Sequence, residues 1–186
     1  FYNTNTTIVK EDFFKNWSKF NKVSINLSVD DLFDRFEYQR QNAKWEETLK
    51  NIELFKQYRD KYNCNMELRI YCTIGILNIW YLDEFVEYVK NHIKLPLFFN
   101  MVHFPSHYSI VNLSNDIKDQ IKNKLEKIDL TDIEMFVFSP TINEIIKYMY
   151  DRNVDEIEVA KFWKAVNQHD AYRKQSFKDT FPEFYR

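Results

Sequence analysis

Apolar and polar residues alternate from Val23 to Asp30, with Val23, Ile25, Leu27 and Val29 on one side and Ser24, Asn26, Ser28 and Asp30 on the other. That two-residue period is the mark of a β-strand with one greasy and one polar face. Met66 to Ile74 repeats it: Leu68, Ile70, Cys72 and Ile74 alternate with Glu67, Arg69, Tyr71 and Thr73. Phe1–Ile8 and the shorter Leu97–Val102 read as two further strands. Between the strands the period becomes helical. Phe13, Phe14, Trp17 and Phe20 share one stripe, Trp45, Leu49, Ile52, Phe55 and Arg59 a second, and Leu82, Phe85, Val86 and Val89 a third. Asn63 and Pro96 stop the second and third of these helices.

Strands alternating with helices predict a parallel sheet with right-handed crossovers. In a doubly wound sheet both faces are covered and central strands are apolar throughout. A polar face shared by two neighbouring strands fits part of a barrel with a polar lumen instead. The expected class is therefore α/β: a partial parallel (β/α) barrel over residues 1–110, whose four strands leave two open edges, then a helical extension over 111–186. In the extension, Ile117, Ile121, Leu125 and Ile128 form a stripe after Ser114. Ser139-Pro140 opens a second helix with Ile142, Ile145, Ile146 and Met149, and a last helix includes Phe162, Trp163 and Val166.

At 186 residues, 45% hydrophobic and 18% aromatic, the chain has the means to bury a core and is not a disordered segment. A formal charge of -2 and a pI near 6.1 leave no basic footprint for nucleic acid. No apolar run approaches the roughly 20 residues of a membrane helix, so neither nucleic acid nor membrane is an expected partner and the expected location is cytoplasmic. Cys64 and Cys72 are too few for a disulfide framework or a Cys-rich metal site and read as small buried hydrophobes. The single glycine, Gly75, excludes glycine-rich phosphate cradles, so any nucleotide is held by side chains. The Asn-x-Ser/Thr triplets at Asn5, Asn16 and Asn26 read as coincidences of an Asn-rich chain. With no initiator Met and a strand-like start, the chain is expected to begin inside a fold, as a fragment.

Polar groups gathered at the C-terminal end of a strand are where α/β folds bind ligands. The stretch from Val23 to Arg40 places Ser28, Asp30, Asp31 and Asp34 there, with Arg40 following. On the residues alone, Arg40 reads as a solvated charge, and Ser28 and Asp30 as a strand-end cap, in preference to a ligand site. His103 and His107 flank Pro105, which bars a regular helix, so they line the barrel mouth as substrate-side groups in preference to ligating a metal. Asp170 and Arg173 are spaced to pair across a helical turn.

Thr4-Asn5-Thr6-Thr7 in a strand, the run INLSVDDLFDRFEYQR ending at Arg40, a helix led by Trp45 and the terminal Phe181-Pro182-Glu183-Phe184 together resemble the second half of radical SAM enzymes with a twitch or SPASM-type extension. The resemblance spans nearly the whole chain. TNTT stands where that family often has TNGT, and Ser28-Val29-Asp30-Asp31 where it has Ser-Ile-Asp-Gly, each departing at the glycine. The family's CxxxCxxC and GGEP segments are absent. The resemblance implies four strands of a six-strand barrel that binds S-adenosylmethionine. Ser28 and Arg40 would contact its ribose and methionyl carboxylate, Asp30 would shape the same pocket and Asn5 would stand on its rim. Arginine pairs with carboxylate through a two-pronged fork, which suits that role. The resemblance assigns no catalytic residue or metal ligand to this chain and places the [4Fe-4S] cluster only in a longer parent.

The function it implies is the C-terminal portion of an enzyme that cleaves S-adenosylmethionine reductively to a 5'-deoxyadenosyl radical, which abstracts hydrogen from a small-molecule or peptide substrate. Without the cluster-binding part the chain is expected to be inactive, and its open edges are expected to be covered by the missing N-terminal half or a second copy. Two other readings stand beside it: a non-catalytic α/β binding module, and a barrel hydrolase built on Asp30, Asp34 and His103.

Overall fold

The computed structural model describes residues 1–185. Strand β1 (Tyr2–Thr4) is shorter than the pattern predicts. Thr4 Oγ1 accepts the Thr6 N–H at 3.1 Å, and Thr6 turns into the left-handed region at φ 65°, which ends the strand. Helix α1 (Glu11–Trp17) opens with Glu11 and Asp12 at its positive end and stops short of the predicted Phe20. It buries Phe14 against Phe55 and Tyr58, with ring centroids 5.4 and 5.3 Å away.

Strand β2 (Val23–Ser28), helices α2 (Phe33–Gln39) and α3 (Trp45–Lys61), and strand β3 (Met66–Ile74) follow. Just beyond α3, Asn63 takes φ 48°, a left-handed turn that asparagine tolerates better than most residues. After a 3-10 turn at Ile79–Tyr81 come helix α4 (Leu82–Tyr88) and strand β4 (Leu97–Met101). The strands form one parallel sheet in the order β1-β2-β3-β4, the α/β topology the alternation predicts.

Register sorts the two faces of the sheet. Ile25, Leu27, Leu68, Ile70, Cys72, Ile74, Leu97 and Phe99 are all buried under the helices. Each large aliphatic or aromatic side chain sequestered in this way contributes about 1.5–3 kcal/mol. The opposite face carries the polar set in rows, with Ser24 beside Glu67, Asn26 beside Arg69 and Ser28 beside Tyr71. Ser24 Oγ donates to Glu67 at 3.2 Å and Asn26 Nδ2 to Asn3 Oδ1 at 3.0 Å. Tyr71 stacks on Phe98 at 4.5 Å, while the Arg69 guanidinium lies 4.1 Å over Phe136.

The sequence predicts two open edges, but the β4 edge is covered. Leu97 N–H donates to Glu134 O at 2.9 Å, Phe136 N–H to Leu97 O at 3.1 Å, and Phe99 N–H to Ser139 Oγ at 2.9 Å. Ser139 therefore serves the sheet, and the next helix starts later than Ser139-Pro140, with Thr141 and Glu144 forming a reciprocal cap.

The extension comprises α5 (Asn115–Leu125), α6 (Ile142–Met149), α7 (Glu156–Arg173) and α8 (Phe177–Thr180). The predicted Asp170–Arg173 pair is replaced by two contacts to α2. Tyr38 Oη donates to Asp170 at 2.9 Å, and Arg173 donates to the Tyr38 carbonyl at 2.9 Å. Phe177 and Phe181 close on the buried Tyr38 ring at 6.0 and 5.2 Å, which fixes the C-terminal helices over the end of α2.

Candidate functional site

At the C-terminal ends of β2, β3 and β4 lies a cavity of about 340 Å³ whose walls include Asp30, Gln39, Thr73, Val102, Tyr108 and His169. Parallel topology puts these strand ends on one side. Arg40, just past α2, turns back so that its Nη2 donates to Asp30 Oδ2 at 2.5 Å. The other Asp30 oxygen accepts the Thr73 N–H at 2.9 Å. Both Asp30 oxygens are thus engaged, whereas Arg40 Nε is buried with no acceptor.

The backbone of this rim is held by Asn78, a buried residue that the sequence patterns do not point to. Its Oδ1 accepts the Gly75 N–H at 2.8 Å, and its Nδ2 donates to Asp30 O at 2.7 Å and Thr73 O at 3.0 Å. One amide therefore locks the end of β2 to the turn after β3. The only glycine is used here too: a Cβ on Gly75 would come within 3.0 Å of the Tyr108 carbonyl and 3.1 Å of Val102. No sequence period singles out Asn78, but its place four residues after the end of β3 and three after that glycine marks it as part of the turn.

Beneath the rim, Asp31 is 1% exposed. It accepts from Leu32 N–H at 2.8 Å, Arg35 Nε at 3.0 Å and Gln39 Nε2 at 3.3 Å. Burial pushes its carboxyl up to about 7, although the Arg35 guanidinium pulls the other way. Arg35 also reaches Glu84 at 2.8 Å and lies 3.9 Å over the Tyr81 ring.

The remaining sequence candidates disperse. Ser28 ends β2 half-buried on the polar face, two residues before Asp30. Asn5 is exposed after β1, where its Oδ1 accepts from Thr7 N–H at 3.3 Å and Thr7 Oγ1 at 2.7 Å. His103 is exposed and bonds Tyr148 Oη through Nδ1 at 2.9 Å. His107 rests against Tyr108 at 4.5 Å. Neither histidine lines the cavity, although Phe104 and Pro105 between them do. Asp34 is exposed and lines a separate cleft with Phe33, Glu37 and Lys44, so Asp30, Asp34 and His103 do not converge. Among the described residues no group of three His, Cys, Asp or Glu is placed to hold a metal.

Two solved structures are similar to part of this chain. Native anSMEcpe with bound AdoMet and Cp18Cys peptide is 19% identical, covers 72% of this chain and 39% of its own, and has a TM-score of 0.48. Hexahistidine-tagged anSMEcpe with bound AdoMet is also 19% identical, covers 72% of this chain and 37% of its own, and has a TM-score of 0.46. The chain thus spans about two fifths of the length of these structures. No family model matches the sequence. No curated protein matches it either.

Two further features lie outside the candidate residues. Asn26, 3% exposed on the polar face, has an Oδ1 with no partner. A second, apolar cavity of about 300 Å³ lies against α5, α7 and the Pro182–Tyr185 turn, lined by Leu113, Ile117, Phe162, Trp163 and Phe184, and holds none of the sequence candidates. No helix among the described residues is long and apolar enough to cross a membrane.

Proposed function

We propose that this chain is the S-adenosylmethionine-binding and substrate-side portion of a radical SAM-type enzyme, with its barrel part over residues 1–110 and a helical extension over 111–186. The observation that carries the reading is Asp30, on the wall of a cavity at the ends of three parallel strands, held there by an ion pair with Arg40, the residue that follows α2. Arg40 Nε adds to it. An unmatched buried N–H costs about 1–3 kcal/mol, and a carboxylate or ribose oxygen is the acceptor that would answer it. Ser28 on the same strand offers a hydroxyl to the ribose, Asp30 orients Arg40, and Asn5 stands at the neighbouring strand end. When bound in a complete enzyme, this cofactor supplies a 5'-deoxyadenosyl radical for hydrogen abstraction from a small-molecule or peptide substrate.

The TNTT segment offers independent support. Thr6, in the position where the resembled motif has glycine, takes φ 65°, a conformation that favours glycine. At Asp31, the second such position, φ is not positive and the side chain is anchored to Arg35 instead.

The iron-sulfur cluster does not fit the residues present. A four-iron cluster with an open iron needs three thiolates, and this chain has two cysteines, both buried. Cys64 donates to Phe14 O at 3.3 Å and Cys72 to Asp30 O at 3.6 Å.

Titration of the isotope-labelled chain with S-adenosylmethionine tests the reading. Saturable shifts of the Asp30, Thr73 and Gly75 amide resonances are expected. Shifts confined to the cavity beside Phe162 and Phe184 would contradict it.

A further inference from the structure

We propose that His169, on α7, is the specificity-determining residue of the strand-end cavity and selects an uncharged hydrogen-bonding group, a carboxamide or hydroxyl carried on an apolar body. This rests on the reading that the cavity is the ligand site and adds the class of group that enters from its α7 side.

Charge balance is the first ground. On the cavity wall, Asp30 is neutralised by Arg40 at 2.5 Å and its second oxygen is filled by the Thr73 N–H at 2.9 Å. Asp170, beside His169 in sequence, is filled by Tyr38 Oη at 2.9 Å and the Phe177 N–H at 2.8 Å. Arg173, one turn on, is tied to the Tyr38 carbonyl at 2.9 Å. The charges on α7 beside His169 are therefore already matched, and a charged ligand group entering from that side would lose its hydration without gaining a counter-ion.

The second ground is what remains for a ligand. Gln39 spends its Nε2 on Asp31 at 3.3 Å. The wall also presents the Thr73 side chain, the Tyr108 phenol and the His169 imidazole, set among Ile76, Leu77, Val102 and Pro105. An apolar lining with a few convergent polar groups binds an apolar body oriented by one or two hydrogen bonds. His169 is half-buried with its ring edge-on to Tyr38 at 6.2 Å, so α2 and α7 together set its orientation. Burial, and then the Arg173 charge, hold its pKa below the ordinary histidine value, which keeps the ring neutral, with one nitrogen donating and the other accepting.

A charge series of one shape tests this on the intact chain at neutral pH. Benzamide, benzoate and benzylamine are titrated while the His169 ring resonances are followed, with S-adenosylmethionine titrated in parallel. Benzamide is expected to bind saturably, to shift those resonances and to bind more tightly than either charged analogue. His169→Ala should weaken it about fivefold, the loss of one neutral hydrogen bond, and His169→Gln, which keeps a donor and an acceptor, should weaken it less. Thermal unfolding confirms that both variants are folded. Absence of saturable benzamide binding, tighter binding of benzoate or benzylamine, or unchanged affinity in the folded His169→Ala variant would overturn the proposal. Benzamide binding that depends on His169 in a chain that ignores S-adenosylmethionine would support it while removing the cofactor reading.

Discussion

Arg40 Nη2 meets Asp30 Oδ2 at 2.5 Å, joining the residue that follows α2 to the residue that follows β2. Ten positions separate them in the chain. The pair is 23% and 17% exposed, so it is neither a free surface bridge, worth little, nor a fully desolvated one. It leaves one guanidinium donor, Nε, buried and unmatched.

Tyr38 and Asp170 lie 132 positions apart and hold α7 to α2. Tyr38→Phe removes the hydroxyl that donates to this carboxylate. A hydrogen bond to a charged group contributes about 1.5–3 kcal/mol, and a stability loss of that size is expected. Urea denaturation measures it, and hydrogen exchange should locate the weakening in α7. Unchanged stability would show that the carboxylate finds another donor.

Asp31 predicts a pH dependence. Its carboxyl, pushed up to about 7 by burial, keeps a proton in the folded chain where an ordinary aspartate near about 4 has released it. The unfolded chain binds fewer protons in that window, so the Asp31 contribution is greatest at low pH and declines as pH rises through it. Asp31→Asn does not titrate. Its stability relative to wild type should therefore improve between about pH 5 and pH 8. Taking the difference cancels carboxylates such as Glu11 and Glu67, whose lowered values act in the opposite sense at acid pH. Parallel stability curves for the two proteins would contradict this.

Thr6 is a strained position. It is fully buried at φ 65°, with its hydroxyl unmatched. A side chain bearing a Cβ pays about 1–2 kcal/mol in the left-handed region, and glycine escapes that cost. After allowing for the flexibility glycine adds to the unfolded chain, Thr6→Gly is expected to raise stability by about 1 kcal/mol. Calorimetric melting measures it, and a comparable loss would mean that the buried methyl group outweighs the strain.

The sheet was legible because a two-residue period has one interpretation once one face is buried: β2 and β3 match the predicted spans closely, and Ser24, Asn26 and Ser28 line up with Glu67, Arg69 and Tyr71. The early end of β1 was hidden, because Thr4 and Thr6 look as extended as their neighbours until one bonds the other. The strip from Glu134 to Ser139 that covers β4 follows no alternation and pairs through isolated contacts. Asp30 could be named from its place after a strand, and Arg40 only through the family resemblance, because an arginine after a helix otherwise reads as a solvated charge. Asn78 and His169 could not, since a lone polar residue in a turn or on a helix reads as solvated until the fold sets it against a strand end.

Isothermal titration of the chain with S-adenosylmethionine, wild type against Arg40→Ala, tests the central claim most directly. The wild type should bind, and the folded variant should bind more weakly by about 1.5–3 kcal/mol, the range for a hydrogen bond to a charged group and a loss of roughly tenfold or more in affinity. Equal affinity in the two proteins, or no binding by the wild type, would contradict the assignment of Arg40 and Asp30 to a cofactor site.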